Sequence, residues 1–587
     1  MTETFKEELI NFPRPQFRRD TWKNLNGMWD FAFDDNNEGE KEQWYKKSNF
    51  NKTIKVPFTY ETKESGIEEE VLHENIWYHR TFEISEAERN KKKILRFQAS
   101  DYRTKVWVNG IYIGEHIGGN TSFSFDITNE VLESEENSLV VKVEDGQSCL
   151  QPRGKQRWKD ESFRCWYVQT TGIWQTVWME FLPPESIKHV KITPDLDHNA
   201  VGFYYSLDGD FTNKNVEVKT LVTFKGNRIK ELSFVPEGPE MSVDLNLISQ
   251  LNEFRVMEWS PENPNLYDVT FSLYVEGVLA DKVESYFGMR KVSIKDGQVL
   301  LNNFPVYQKL LLDQGYWPDT MLTPPSEEAL IEDIDKTIEM GFNGVRKHQK
   351  LEDERFLYWC DKKGLLVWSE MAAAYKYSDE AVQNFTKEWM EAVNQYYNYP
   401  SIITWVPFNE SWGVPNILTN KMEQSFTEAI YYLTKSMDNM RPVIVNDGWE
   451  QTISDIISLH DYEEDGKSFI DRYQDKDHLL SNKVSHNLEK YPFAKGYEYQ
   501  GQPVIISEYG GIAFKDEQGW GYGNQVTSEK EFLERYQNIT DAIKQIPYIS
   551  GYCYTQTTDV QQEINGLLDE NRVPKVSMEK IKQINDD

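Results

Sequence analysis

Two stretches decide how this chain is read: Ile402-Ile403-Thr404-Trp405-Val406-Pro407-Phe408-Asn409-Glu410-Ser411-Trp412 and Val504-Ile505-Ile506-Ser507-Glu508-Tyr509-Gly510-Gly511. Each is a short apolar run, rich in β-branched residues, that ends on a carboxylate. A run without alternation reads as a strand buried on both faces, the kind found in parallel sheets. The carboxyl ends of such strands are where parallel α/β folds carry out chemistry, so a charge placed there is a candidate for it.

Working outward, strand and amphipathic helix alternate from residue 291 to 587. Ser326 can cap a helix in which Leu330, Ile334 and Ile338 recur every fourth residue, and Gly341 stops it before the strand Asn343-Gly344-Val345-Arg346. Another helix carries Phe385, Trp389 and Val393 on one face and ends near Tyr399-Pro400. Further strands are Leu365 to Trp368, Pro442 to Val445, Ile456 to Leu459 and Ile549 to Tyr552, with an opening strand near Val306 to Leu312. About eight strand–helix units fit, which predicts a (β/α)8 TIM barrel in which Glu410 ends the fourth strand and Glu508 the seventh.

Upstream the grammar differs. Residues 1–185 show short strands at turn-bounded intervals, such as Lys93 to Phe97 and Leu139 to Val143, and predict a β-sandwich. In Lys105-Val106-Trp107-Val108-Asn109-Gly110-Ile111-Tyr112-Ile113-Gly114, Asn-Gly joins two alternating runs as a hairpin, because both turn positions need positive φ. Pro183-Pro184 breaks the pattern, and residues 186–290 have the length and strand content of an immunoglobulin-like sandwich, with no chemical motif.

Composition sets limits on function. A chain of 587 residues is too long for one core, and roughly three or four domains are expected. Hydrophobic residues at 39% and aromatics at 14% supply packed cores and exclude a disordered chain, and some of the rings could stack on sugars. A formal charge of -32 repels phosphate backbones and anionic lipid, so neither a nucleic acid nor a membrane is an expected partner; a small carbohydrate suits the chain better. Cys149, Cys165, Cys360 and Cys553 show no CxxC spacing and read as reduced thiols. The start Met1 to Glu8 lacks a basic segment followed by an apolar one, and the expected location is the cytoplasm. The nine histidines form no metal-ligand spacing, so no metal or cofactor is expected.

Glycosidic hydrolysis needs one carboxyl group to protonate the leaving oxygen and a second to attack or stabilise the anomeric carbon. The chain has 96 Asp and Glu residues, and an isolated one is ordinarily a solvated surface charge. Glu410 and Glu508 stand apart because they end buried strands.

Asn409-Glu410 and Glu508-Tyr509-Gly510 resemble the acid/base and nucleophile signatures of glycoside hydrolase family 2. Pro13-Arg14-Pro15, Leu25 to Phe31, Trp77 to Arg80, Trp107 to Gly110 and Thr171 to Trp174 are similar to that family's jelly-roll sugar-binding domain. The order of sandwich, immunoglobulin-like domain and barrel is also the family's, so the resemblance spans nearly the whole chain. It implies a jelly roll over 1–185, an immunoglobulin-like β-sandwich over 186–290 and a catalytic TIM barrel over 291–587. It further implies Glu410 as acid/base, Glu508 as nucleophile, and Asn409 on the sugar 2-hydroxyl. Tyr462, in His460-Asp461-Tyr462, looks like the tyrosine that hydrogen-bonds the nucleophile; a packing role is the other reading, and His460 is a further substrate-binding candidate.

Trp412, Trp449 and Trp520 fall on loops expected at the barrel mouth and are candidate sugar-stacking walls. Arg346 can orient the nucleophile, although Arg346-Lys347-His348-Gln349-Lys350 also reads as a solvated basic face. One residue separates Arg346 from His348 where the family commonly has two, which leaves the role of His348 open. Asp313, at the end of the first strand, is a candidate ligand for sugar hydroxyls.

The resemblance implies a retaining, exo-acting β-glycosidase with carboxyl groups about 5–5.5 Å apart, too close for an intervening water, so that Glu508 attacks and a covalent glycosyl-enzyme forms. Glu410 must then be protonated in the first step and ionised in the second, and a bell-shaped pH profile is expected. Glucuronidases of the family hold the sugar carboxylate with an Asn-x-Lys motif; here Glu563 and Asn565 take those places, which favours a neutral sugar, with β-galactosidase as first expectation. The alternatives are a β-glucuronidase or arabinofuranosidase of the family, a non-catalytic carbohydrate-binding protein, and a protein-assembly scaffold. Family habit makes a homo-oligomer plausible.

Overall fold

The structure is a computed structural model that describes residues 12–47, 50–249, 255–483, 485–486, 489–515 and 518–587. The segment Met1 to Glu8, on which the expected location rests, lies outside the described residues. Three layered units follow one another along the chain.

The first is a two-sheet sandwich. A six-stranded antiparallel sheet faces a four-stranded one, and the two enclose Trp29, Phe31, Tyr78, Leu95, Phe97 and Val141. The Asn-Gly hairpin forms as its sequence requires: Arg103–Val108 and Ile111–Ile117 pair, with Asn109 at φ 51° and Gly110 at φ 76°. In the second unit a three-stranded and a four-stranded sheet pack around Phe203, Tyr205, Val218 and Phe271, and among the described residues no strand of it contributes to the site described below.

The third unit is the barrel. Its parallel strands are β1 (Gln308–Asp313), β2 (Gly344–Lys347), β3 (Leu366–Glu370), β4 (Ile402–Val406), β5 (Asn446–Asp447), β6 (Ile457–His460), β7 (Val504–Gly510) and β8 (Ile549–Thr555). Seven of them pair in the order β4-β3-β2-β1-β8-β7-β6. Phe408–Asn409 prolongs β4 and pairs with β5, and the His460 N–H donates to the Gly448 carbonyl at 3.3 Å between β5 and β6. Leu310, Leu312, Leu366, Trp368, Ile403, Ile444, Ile456 and Ile505 fill the interior; burying each such side chain contributes about 1.5–3 kcal/mol.

Helix α1 (Glu327–Glu339) starts where the sequence indicates, with Ser326 accepting from the Ala329 N–H. Leu330 and Ile334 are fully buried, but Ile338 is 38% exposed. Four residues overshoot a helical turn by about 40°, so a strict i+4 series walks off the core face by its third member. Helix α2 (Asp379–Tyr396) buries Phe385, Trp389 and Val393 as read. Among the described residues no helix is long and apolar enough to cross a membrane, and all four cysteines are free thiols.

One excursion of the sandwich leaves its own unit. Residues 146–169 reach over the carboxyl end of the barrel, where Arg153 and Gly154 donate their N–H groups to the Ala373 carbonyl at 3.0 and 3.1 Å. The side chains of Gln562 and Trp520 donate to the Arg164 carbonyl from the β8 and β7 loops, both at 2.9 Å.

Candidate active site

The site is made by the ends of β2 to β8. After β4, Pro407 has no N–H to continue the ladder, and the chain steps outward so that Phe408–Asn409 pairs with β5 instead. Glu410 and Ser411 then take left-handed conformations, with φ of 51° and 61°. Such backbone costs about 1–3 kcal/mol per residue and persists only when its surroundings hold it. Here the Glu410 N–H donates to the Asp447 carbonyl at 2.8 Å, and the Ser411 N–H donates to Asn446 Oδ1 at 2.9 Å. The distortion turns the Glu410 carboxylate into the barrel mouth.

At the centre lies Arg346, wholly excluded from solvent. Its Nε donates to Glu370 Oε2 at 2.6 Å, Nη1 to Glu508 Oε1 at 2.8 Å, and Nη2 to Asn409 Oδ1 at 2.7 Å; Nη1 also lies 2.7 Å from Asp447 Oδ2. The guanidinium fork therefore fixes residues from β3, the β4 extension, β5 and β7 in one arrangement. The reading of residues 346–350 as a solvated face is excluded: Lys347 pairs with Asp313 and Glu352, Lys350 pairs with Glu352, and every residue of the run is buried. His348 is neutral, because burial and the neighbouring Lys155 and Arg346 push it well below the ordinary histidine value, and its Nδ1 accepts from Arg346.

Glu508 receives a second hydrogen bond from Tyr462, whose hydroxyl lies 2.5 Å from Oε2. Burial alone would raise the Glu508 carboxyl; the His460 and Arg346 charges, with the Tyr462 bond, hold it below its ordinary value and keep it ionised. Burial and the Glu508 charge push the Tyr462 hydroxyl well above its ordinary value, so it stays a donor, and its ring stacks on Tyr522 at 3.4 Å. His460 bonds Glu410 through Nδ1 and Asp447 through Nε2, both at 2.8 Å. Burial opposes its charge, but Glu508 and Asp447 outweigh that and raise it to about 10. Oxygens of Glu410 and Glu508 and a nitrogen of His460 all lie within 4.8 Å of one another, a spacing that could suit a cation. A charged imidazole has no lone pair to offer a metal, so the trio as it stands is a hydrogen-bonded set.

The structure thus brings together Glu410, Glu508, Asn409, Arg346, His348, His460 and Tyr462. Trp412 packs beside His348 and Tyr375, and Trp449 meets the His460 ring edge-on at 5.5 Å. Trp520 sits further out, against Tyr522. Asp313 lies elsewhere: it is in register with Lys347, which alternates with the inward-facing Arg346, and its oxygens accept from Lys347 Nζ and the Gly315 N–H, both at 2.8 Å. It belongs to the outer layer of the barrel, on the opposite face of the strand from the residues gathered around Arg346. Glu370, Asp447, Tyr522 and Lys155 are additional members of the site. Glu370 and Asp447 end β3 and β5 as Glu508 lies on β7, so the strand-end rule that finds Glu508 also finds them.

Comparison with known proteins agrees with this architecture. Residues 22–180 match the sugar-binding domain of glycosyl hydrolases family 2, residues 185–290 match the same family, and residues 292–586 match its TIM barrel domain. The chain belongs to glycosyl hydrolases family 2. This family 2 chain is 27% identical over 427 residues to a β-galactosidase of Thermoanaerobacter pseudethanolicus, covering 70% of its own length and 56% of that protein. A Formosa agariphila relative is 28% identical over 396 residues, which is 65% of this chain and 46% of the relative. The chain thus spans about half the length of these two curated relatives. A solved β-glucuronidase structure from Ruminococcus gnavus superposes with a TM-score of 0.77 at 19% identity, over 97% of this chain and 98% of that one. At that identity the likeness is one of fold.

In the loop after β8 of this family 2 chain, Glu563 and Asn565 are both buried. Glu563 is buried, accepts from the Tyr167 hydroxyl, and lies 3.3 Å from Asn565 Nδ2; Asn565 Oδ1 accepts from Gln556 at 2.7 Å.

Proposed function

We propose that this family 2 chain is a retaining, exo-acting β-glycosidase that removes a terminal neutral sugar, a β-galactoside first among them. The observation that carries the reading is the spacing of Glu410 and Glu508, whose nearest oxygens lie within 4.8 Å. Inverting enzymes keep their carboxyl groups roughly 6.5–9.5 Å apart to admit a water and retaining ones about 5–5.5 Å, so the close approach of these oxygens supports the retaining class. Glu508, ionised and aimed by Arg346 and Tyr462, attacks the anomeric carbon while Glu410 gives its proton to the leaving oxygen. The glycosyl ester on Glu508 is then cleaved by water, from which Glu410 takes a proton. Asn409 has its Oδ1 on Arg346 and a buried Nδ2 without a partner, which leaves a donor for a sugar hydroxyl.

The excursion 146–169 closes one side of the mouth, which suits a chain end rather than a strand threaded through. Glu563 and Asn565 in place of Asn-x-Lys favour a neutral sugar. The test is hydrolysis of aryl β-galactoside, glucoside, mannoside, glucuronide and α-L-arabinofuranoside by wild type and Glu508→Gln. The reading expects turnover of a neutral glycoside that is lost about 10⁴-fold in the variant. Equal activity of the two proteins would overturn the assignment of Glu508, and dominant glucuronide turnover would overturn the neutral sugar.

A further inference from the structure

The N-terminal sandwich sends a cation into the barrel's site. Lys155 is 6% exposed, and its ammonium stands over the Trp412 ring, 5.4 Å from the centroid. Among the described residues it forms no ion pair. A buried charge without a counter-ion costs several kcal/mol in a protein interior, and desolvation ordinarily drives such a lysine to neutrality. Here burial is outweighed by the Cys165 thiol and by the carboxylates of Glu563, Glu508 and Glu410, and the amine is held above its ordinary value. The amine therefore favours its charged form beside the Trp412 ring.

Its position is built rather than incidental. Gly154, the preceding residue, has φ 61° and lies so close to the barrel that a Cβ there would sit 2.4 Å from the Gln349 carbonyl oxygen. The Lys155 carbonyl accepts from the Tyr167 N–H at 2.8 Å and the Arg157 N–H donates to the Tyr167 carbonyl at 2.7 Å, a short bridge that pairs Tyr167 with Gln156 and fixes Lys155 beside it. From that bridge Tyr167 donates its hydroxyl to Glu563, while the neighbouring Lys155 extends over Trp412, two residues beyond Glu410.

We propose that Lys155 and Glu563 act together as the specificity-determining pair of the sugar subsite, the ammonium donating to and the carboxylate accepting from hydroxyls of a neutral sugar. The pair carries no net charge. A neutral pyranoside offers hydroxyls that serve both partners, whereas a uronate satisfies the ammonium and is repelled by Glu563. Selectivity then depends on contact between two units far apart in sequence, because Lys155 belongs to the sandwich and Glu563 to the β8 loop.

This inference rests on the glycosidase reading, and the experiment separates the two. Binding of the intact aryl β-galactoside is measured by calorimetry in Glu508→Gln, alone and combined with K155M or E563Q, and kcat/KM is measured for K155M and E563Q with Glu508 retained. Each variant is expected to lower galactoside affinity and kcat/KM by about 30-fold or more, the loss of a charge-assisted hydrogen bond, while K155M, relieved of a buried unpaired charge, melts no lower than its parent. The double variant K155M/E563Q should lose less than the sum. One monodeoxy galactoside should show no further loss in K155M, which identifies the hydroxyl that the ammonium touches. Affinity within threefold of the parent in K155M would overturn the proposal, whatever the catalytic result. So would a K155M defect confined to glucuronide, since the cation would then be holding a carboxylate. Failure of the catalytic reading shows separately, as turnover that survives Glu508→Gln.

Discussion

His460 stands between Glu410 and Asp447, with Nδ1 2.8 Å from a Glu410 oxygen and Nε2 2.8 Å from an Asp447 oxygen. Both ring nitrogens are thereby donors to carboxylates, and the imidazole is pushed up to about 10 from an ordinary 6.5. A histidine raised by folding stabilises fully below its unfolded value, and the stabilisation is lost as pH climbs to the folded one. Wild type should therefore lose stability between about pH 6.5 and about pH 10, and His460→Asn should show a flatter decline over that window. Denaturant midpoints at several pH values check this; parallel declines would mean that His460 is neutral in the folded chain.

Arg346 is the only cation directly bonded to Glu370, Asp447 and Glu508 together among the described residues. Removing one partner of a buried ion pair costs about 3–5 kcal/mol, because the other charges stay buried, so Arg346→Met should be severely destabilised. Arg346→Lys keeps the charge but loses the fork, and should fold with a weakened hold on Glu508. Burial then counts for more, the Glu508 carboxyl rises, and the acidic limb of kcat/KM should move to higher pH. An acidic limb identical to that of wild type would separate Arg346 from the ionisation of Glu508.

If Glu410 supplies and retrieves the proton, its removal can be bypassed at both steps. An aryl glycoside with a good leaving group needs little protonation, and azide, already a strong nucleophile, needs no base. Glu410→Ala should lose about 10²–10⁴-fold on poor leaving groups, little on the first step with activated ones, and regain turnover with azide to give the β-glycosyl azide. An α-configured azide product would refute the two-step path through Glu508.

Much of this site could be read from sequence because it obeys one local rule. Apolar strands that close on a carboxylate mark β4 and β7, and the same inspection of Leu366-Val367-Trp368-Ser369-Glu370 and Val443-Ile444-Val445-Asn446-Asp447 finds the two acids bound to Arg346. Asp313 obeys the rule too, yet faces outward, since strand alternation and its register with Lys347 decide the face and a strand end alone does not. Arg346 to Lys350 misleads by composition: five polar residues in a row are buried because Asp313, Glu370 and Glu508 arrive from other elements, and Glu352 folds back from two residues on, to pair with them. Lys155 had no sequence signal, as its role depends on how the sandwich docks on the barrel.

That docking makes a prediction of its own. Gly154 and Gly66 both have positive φ, 61° and 83°, so alanine at either strains the backbone by roughly 1–2 kcal/mol. They differ in surroundings: a Cβ at Gly66 meets nothing within 4 Å, whereas one at Gly154 meets the Gln349 carbonyl oxygen at 2.4 Å and Ala372 Cβ at 3.3 Å. Backbone cannot give way as a flexible side chain can, so Gly154→Ala must lift the excursion off the barrel and carry Lys155 with it. Gly66→Ala should lower the melting temperature with kcat/KM intact. Gly154→Ala should lower it further and also raise KM for the neutral glycoside, because the next residue is the one proposed to touch the sugar. An unchanged KM in Gly154→Ala would show that the sandwich supports the barrel without helping to bind its substrate.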